Sequence, residues 1–182
     1  MATKKTNTEN PMRNIKVEKL TLNIGAGKDQ AVLEKAVKVL KQITGIEPVK
    51  TKTDKRIAAW GLRPGLPIGC KLTLRGESAT KMIPRLLHAL ENKLHDNNFD
   101  DNGNISFGIK EFIDVKDAKY DPEIGILGLQ ATITLERAGF RIKKRKTLKA
   151  RIPMNHRIPR EDAIKFMKDN FSVKISGEEE EE

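Results

Sequence analysis

The segment LQATITLER, Leu129–Arg137, carries the clearest strand pattern in this chain of 182 residues. Apolar and polar side chains alternate along it almost to its end. The apolar set is Leu129, Ala131, Ile133 and Leu135, and the polar set is Gln130, Thr132, Thr134 and Glu136. Because successive strand residues point to opposite sides of a sheet, the pattern predicts a strand with one buried face and one polar face.

Two more segments repeat this alternation, IKVEKLTLNI at 15–24 and CKLTLR at 70–75. PVKTK at 48–52 predicts a short edge strand, where proline is tolerated. A further strand is expected around residues 106–112. The outward positions of the alternating strands predict a polar face that includes Thr21, Asn23, Lys71, Thr73, Arg75, Gln130, Thr132 and Thr134.

Three segments show the spacing of amphipathic helices. The first has Asp29 as its expected N-cap and Gly45 after its end. Its apolar face consists of Leu33, Ala36, Val37, Leu40 and Ile43. The second is expected to start at Ser78, and Pro84 should kink it or delay its start. Its apolar face consists of Ile83, Leu86, Leu87, Leu90 and Leu94. The third spans Arg160–Phe171 and uses Ile164, Met167 and Phe171. These elements predict an α+β fold, with helices packed on one face of an antiparallel or mixed sheet, a polar face on the other, and long basic loops.

The chain is strongly basic, with a formal net charge of +10 at pH 7 and a sequence pI of about 9.7. Its most basic stretch, residues 137–160, contains no Asp or Glu. The cations are Arg137, Arg141, Lys143, Lys144, Arg145, Lys146, Lys149, Arg151, Arg157 and Arg160. Because like charges repel, this segment is expected to gain nothing internally and to lie against a polyanion. Nucleic acid is the first candidate, since each neutralised phosphate releases counterions.

The domain organisation predicted from these features is simple. Residues 1–14 are polar and without periodicity, as in a flexible arm. Residues 15–176 are expected to form a single α+β RNA-binding domain, which includes the basic segment 137–160 and the helix at 160–171. An acidic, disordered tail follows at 177–182, either as a solubilising end or as a mask for the basic surface. The absence of a signal-like or membrane-spanning stretch predicts a cytoplasmic, reducing compartment.

Two surfaces are candidate binding sites. The polar sheet face offers donors to phosphates, sugars and base edges, although an ordinary solvated face would have the same composition. Residues 53–69 form a long loop with the only tryptophan, Trp60, among Lys55, Arg56 and Arg63. Such loops are usually functional or disordered. Trp60 either packs back onto the core or forms an exposed tip that touches a second RNA.

Catalytic and cofactor chemistry finds no support in the sequence. The turn at Gly25 and Gly27 lacks the glycine spacing of a P-loop or a dinucleotide fingerprint. His88, His95 and His156 have no metal-ligand spacing, and the single Cys70 lies in an apolar alternation that predicts burial. No enzymatic activity, no cofactor, no metal and no small-molecule substrate are therefore expected.

Several motifs together resemble one family. They are VEKLTLNIGAG at 17–27, PVKTK at 48–52, RPGLPIGCKLTLRG at 63–76, FDDNGNISFGIKEF at 99–112 and YDPEIGILGL at 120–129. These motifs are similar to those of the universal large-subunit ribosomal protein L-five family. The portions at 135–145 and 156–171 resemble the longer archaeal and eukaryotic form, so the chain looks like the archaeal branch. The resemblance covers nearly all of residues 12–175.

The resemblance implies a structural component of the large ribosomal subunit, in the cytoplasm, that binds 5S rRNA and helps attach it in the central protuberance. It implies contact of the 53–69 loop with P-site tRNA, through Lys55, Arg56, Trp60 and Arg63, and a contribution to an intersubunit bridge. The partners it implies are 5S rRNA, large-subunit rRNA, P-site tRNA, and neighbouring proteins of the central protuberance and small subunit. The expected rRNA-binding residues are Asn23, Thr51, Lys71, Thr73, Arg75, Thr132, Arg141, Lys143, Lys144 and Arg145. A general nucleic-acid compaction protein, acting by charge alone, is the alternative.

Overall fold

A five-stranded antiparallel sheet is the centre of the computed structural model, which describes residues 10–116 and 118–176. The strands are β1 (Ile15–Gly25), β2 (Val49–Lys52), β3 (Pro67–Leu74), β4 (Lys93–His95), β5 (Asn104–Ile109), β6 (Leu129–Arg137) and β7 (Lys174–Ser176). The helices are α1 (Gln30–Thr44), α2 (Glu77–His88) and α3 (Arg160–Phe171). The main sheet has the order β2-β3-β1-β6-β5, and β4 and β7 form a separate parallel pair.

The alternation seen in β6 is confirmed along its whole length. Leu129, Ala131, Ile133 and Leu135 are buried, and Gln130, Thr132, Thr134 and Glu136 are half-buried or exposed. In β1, Leu20 and Leu22 lie opposite Leu74 and Leu72 of β3, on the same buried face. The predicted α+β architecture, with one apolar and one polar sheet face, is therefore confirmed.

Helix α1 packs against β3 and β1 and ends at Gly45, which adopts a left-handed conformation with φ of 73° as predicted. Asp29 occupies the N-cap position, but its side chain accepts no capping hydrogen bond. The predicted apolar face omitted one buried residue, Val39, while Val37 is half-buried and packs against the core as expected. Val39 lies three residues after the buried Ala36 and so shares its face of the helix.

Helix α2 differs more from its prediction. It begins at Glu77 with Gly76 as N-cap, so Ser78 lies inside the helix and does not cap it. Pro84 is also inside the helix, and it does not delay the start. The helix ends at His88, because Glu91 and Asn92 take positive φ values and turn the chain into β4. Leu94 is buried as expected, but it lies on β4 opposite Ile175.

Three boundaries move relative to the sequence predictions. Strand β3 begins at Pro67, so the long loop ends at Leu66. Strand β5 spans Asn104–Ile109, earlier than the predicted 106–112, and Arg75 lies one residue beyond the end of β3. Helix α3 has the predicted bounds and buries Met167 together with Ala163.

A single cluster of buried apolar residues joins the sheet, all three helices and the loops between them. The division into an arm, one domain and a tail stays a prediction. Of the arm, residues 10–14 are described and include the turn Pro11–Arg13, while the predicted acidic tail at 177–182 lies outside the described residues. Within residues 10–116 and 118–176, no helix combines the length and the apolar character needed to cross a membrane.

Candidate nucleic-acid interface

The polar face of the main sheet is an ordered grid of side chains, because strand register places them in rows. One row runs from Lys71 through Asn23 to Gln130, and a second runs from Thr73 through Thr21 to Thr132 and Ser106. The Nδ2 of Asn23 donates to Oε1 of Gln130 at 3.5 Å, and the hydroxyls of Ser106 and Thr132 lie 3.1 Å apart. Such a surface offers fixed donors and acceptors to a polar ligand.

Two cations on this side have no charge partner among the described residues. Lys71 is exposed beside Asn23, and Arg75 is exposed just past the end of β3. Neither side chain forms an ion pair or a hydrogen bond with another residue of the described chain. Because neither side chain is held by another described residue, both can contact phosphate without first breaking a bond.

Thr51 lies on the same face at the sheet edge, opposite Gly69, whose lack of a side chain leaves room for it. Gly69 pairs with Thr51 on one side and Gly25 on the other. A Cβ atom at Gly69 would lie 2.7 Å from the Ile24 carbonyl oxygen and 3.2 Å from Oγ1 of Thr51. Only glycine at position 69 therefore lets β2, β3 and β1 approach one another this closely. The sequence pattern assigned Gly69 to the loop at 53–69, so it did not predict this role.

The long loop folds as a twisted hairpin. The Thr53 amide donates to the Leu66 carbonyl at 2.9 Å, and the Ile57 and Leu62 amides donate to each other's carbonyls at 3.1 and 3.0 Å. A short 3₁₀ turn, Ala58–Trp60, forms the tip. Trp60 is 67% exposed, so the alternative in which it packs onto the core is wrong, and Leu62 is buried instead.

The cations predicted for this loop surround its tip. Lys55, Arg56 and Arg63 are all exposed. The structure adds Lys28, whose Cδ would lie 3.7 Å from a Cβ atom built at Gly61. The sequence did not predict Lys28 as a residue of this surface, because its position after the turn at Gly25 gave no indication that it lies near the loop. The loop therefore presents one exposed indole among four cations.

The basic segment 137–160 is partly held by internal bonds, so the expectation that it gains nothing internally is wrong. Arg137 is buried, and its guanidinium donates through Nη1 to the Arg157 carbonyl at 2.8 Å and through Nη2 to Oδ2 of Asp162 at 2.6 Å. Arg160 forms an ion pair with Asp96. These two arginines attach the segment to the core and are not available to a ligand.

Lys144, an expected rRNA contact, is also engaged. Its Nζ lies 2.5 Å from Oε1 of Glu18 and 3.2 Å from Oε2 of Glu136. Partial burial lowers the pKa of Lys144, but hydrogen bonds and charge attraction from the two carboxylates outweigh this, and the pKa is raised. Glu18 sits where the β1–β6 register shifts, a bulge that the alternation did not reveal. An RNA phosphate at Lys144 would compete with two carboxylates.

Most of the remaining cations of the segment lie within residues 140–151, a small folded region that we call the basic lobe. The Ala150 amide donates to the Ile142 carbonyl at 3.3 Å, which closes the loop between them. Nε of Arg145 donates to the Leu148 carbonyl at 2.6 Å, and Nζ of Lys143 lies 4.9 Å from the Phe140 ring centroid. Arg141, Lys143 and Arg145 are exposed as expected.

Features that would indicate other chemistry are weak. No group of three or more His, Cys, Asp or Glu in the described chain could hold a metal ion. Burial raises the pKa of the Cys70 thiol to about 11, which makes it a poor nucleophile. His156 lies 2.8 Å from the Ala138 carbonyl and serves a structural contact.

Comparisons with known proteins match this chain along nearly all its length. A family model described as Ribosomal protein L5 matches residues 10–63, and a second model, for the C-terminus of the same ribosomal family, matches residues 67–166. Among similar curated proteins, the large ribosomal subunit protein uL5 of Nanoarchaeum equitans is 46% identical, over 92% of this chain and 99% of the relative. Those of Sulfolobus acidocaldarius and Methanobrevibacter smithii are 45% and 42% identical, over 96% and 90% of this chain and 98% and 96% of theirs.

Proposed function

Because the chain belongs to the ribosomal protein L5 family, in its archaeal branch, we propose that it binds 5S rRNA through the polar sheet face and helps attach it in the central protuberance. At the coarser level, the chain is a non-enzymatic structural component of the large ribosomal subunit, and hence of the cytoplasm.

The observation that carries the 5S rRNA proposal is the contrast between the two sheet faces. One face is apolar and buried under helices, while the other presents rows of hydroxyl and amide groups, with Lys71 and Arg75 unpaired among the residues that the structure describes. Double-stranded RNA is recognised largely by shape and by contacts to 2′-hydroxyls and phosphates, for which short polar side chains on a rigid surface are suited. Asn23, Thr51, Thr73 and Thr132 supply such groups.

We assign two further RNA contacts by the same reasoning. The hairpin tip, with Trp60 among Lys55, Arg56 and Arg63, is a second surface whose proposed partner is P-site tRNA. The basic lobe, with Arg141, Lys143, Lys144 and Arg145, is a third, and its proposed partner is large-subunit rRNA. We also propose a contribution to an intersubunit bridge and contacts with neighbouring proteins of the central protuberance and the small subunit, and this proposal rests on the family resemblance alone.

The test compares two double variants that remove the same charge. Lys71→Ala/Arg75→Ala should reduce the salt slope of 5S rRNA binding by roughly one per lost contact. Two contacts correspond to about a tenfold change in relative affinity between about 50 and about 200 mM salt. The control, Lys41→Ala/Lys165→Ala, removes exposed cations from α1 and α3 and should change the slope far less. Equal slopes for both double variants would exclude the sheet face as the binding surface.

The second candidate, a compaction protein that binds by charge alone, is tested by competition. A dedicated reader retains 5S rRNA in the presence of excess unrelated duplex DNA, whereas a compaction protein releases it. Release of 5S rRNA to the duplex DNA at moderate salt would favour the second candidate.

A further inference from the structure

A cavity of about 250 Å³ lies between the basic lobe and the turn before β5, and it shares no lining residue with the polar sheet face. Its walls are apolar and come from Phe140, Ile152 and Ile158. Phe140 and Ile158 are buried and Ile152 is half-buried. A volume just below the ~300 Å³ lower end of small-molecule sites suits a single flat ring system.

The mouth of the cavity is cationic. Lys143, Arg151 and Arg157 line it, and Lys143 and Arg151 are exposed. No carboxylate is among its lining residues. An apolar interior next to three cations matches a ligand with a flat, weakly polar part and an attached anion. A nucleotide has this combination, with a base for the interior and a phosphate for the mouth.

One amide can read the edge of such a base. Asn102 lines the cavity, and its Nδ2 donates one weak hydrogen bond, at 3.4 Å, to Oδ2 of Asp100. Its second N–H and its carbonyl oxygen have no partner in the described chain. A free donor and acceptor on one planar group are what a bidentate contact to a base edge requires.

The cavity is preorganised, because close packing and backbone hydrogen bonds hold the segments that line it. Gly103, with φ of 75°, brings the turn against Ile158, where an added Cβ would lie 3.0 Å from the Ile158 Cβ. The Leu135 amide donates to the Gly103 carbonyl at 2.9 Å, and Nε of Arg157 donates to the Ile152 carbonyl at 3.4 Å. A preformed site loses little freedom when it is occupied.

We propose that this cavity receives one unstacked nucleotide of ribosomal RNA. The base lies against the half-buried Ile152, behind which the buried Ile158 is packed, Asn102 bonds its edge, and the phosphate meets Arg151 and Lys143. The Lys143 ammonium, now over the Phe140 ring, exchanges that contact for the phosphate. The inference rests on the proposed RNA-binding function and adds a site of base recognition that the sheet face does not provide.

The test titrates the full chain, with labelled isoleucine methyl groups, with AMP, GMP, CMP and UMP. The expected result is a saturable shift of the Ile152 and Ile158 methyl signals in the millimolar range, larger for some bases than for others. Ribose 5-phosphate and inorganic phosphate are the control probes and should leave both signals nearly unmoved. Equal shifts with ribose 5-phosphate, or no shift with any nucleotide, would overturn the proposal.

Variants separate base from phosphate recognition. Arg151→Ala should weaken nucleotide binding about three- to tenfold, the range for a charge-assisted bond at a partly exposed site. Lys146→Ala, a matched loss of charge in the same lobe outside the cavity, should weaken it less than about twofold. Asn102→Ala should reduce the difference between bases, and unchanged base preference would remove Asn102 from the site.

The sheet-face double variant tests the cavity proposal and the 5S rRNA proposal separately. Lys71→Ala/Arg75→Ala should leave the nucleotide-induced shifts intact while it weakens 5S rRNA binding. If the shifts are absent but the sheet-face variant still weakens 5S rRNA binding, only the cavity proposal fails.

Discussion

Asp162→Ala should destabilise the protein by a measurable amount, because it leaves the buried guanidinium of Arg137 without its carboxylate partner. The Arg137 side chain is only 8% exposed, and its Nη2 bonds Asp162 at 2.6 Å. Among the described residues its Nε has no partner, so the variant would leave there only the bond from Nη1 to the Arg157 carbonyl. The two bonds of Arg137 join the end of β6 to the start of α3.

The magnitude follows from how far water can replace the lost carboxylate. Breaking a fully buried ion pair costs about 3–5 kcal/mol. The Asp162 side chain is 36% exposed, so water reaches that side of the guanidinium, and the expected cost falls to about 2 kcal/mol. For a chain of this size that corresponds to a Tm lower by about 4–8 °C.

The assay is urea and thermal unfolding followed by circular dichroism, with Asp169→Ala as the control. Asp169 lies on the same helix but is exposed and without an ion pair in the described chain, so its loss should cost less than about 0.5 kcal/mol. Adding Arg137→Met to Asp162→Ala should recover part of the lost stability, since an apolar side chain leaves no buried charge. Equal stability of Asp162→Ala and Asp169→Ala, or no recovery in the double variant, would refute the reasoning.

Four further predictions concern the sheet and the loop. Gly69→Ala should cost about 1–3 kcal/mol in unfolding free energy, because the new Cβ meets the Ile24 carbonyl at 2.7 Å, whereas Gly108→Ala has open space and should cost far less. The Cys70 thiol, with its pKa raised from 9.0 to about 11, should hold about 100-fold less thiolate than an unfolded thiol at about pH 8, so alkylation should be slow until urea is added. Since the folded state keeps this proton longer, Cys70 should also lower stability as the pH rises from about 9 towards 11, which urea unfolding at stepped pH would detect. The exposed Trp60 should be strongly quenched by acrylamide without RNA, and a shielded indole would contradict the loop conformation.

Regular alternation and helical spacing made much of this fold predictable. Strand β6 and helix α3 have the bounds that the sequence indicated, because each buries one continuous face. The pair β4 and β7 could not be found this way. Each has three residues, too few for a period, and their pairing joins positions far apart in sequence. The end of α2 depends on positive φ at Glu91 and Asn92, which no spacing rule indicated.

The candidate site was predictable where it depends on strand register and less so where it depends on tertiary pairing. The odd positions of β6 face inward, so the alternation already placed Arg137 on the buried side, but the charge argument treated it as free. One of the two partners of Lys144, Glu18, could not be inferred, because it lies at a bulge in β1. Charge runs therefore overstate the surface available to RNA unless burial is considered for each residue.

The order of strands in the sheet has a consequence for how the protein is made. Strand β1 leaves the ribosome early, but one of its neighbours is β6, which begins at Leu129. Until that stretch emerges, β1 has an open edge and its apolar side is without its full cover, while the cationic chain is surrounded by nucleic acid. Such long-range pairing slows folding and exposes nascent chains to aggregation. We therefore expect the β1–β6 pairing to be a late step of folding in a newly synthesised copy, because it must wait for residues 129–137.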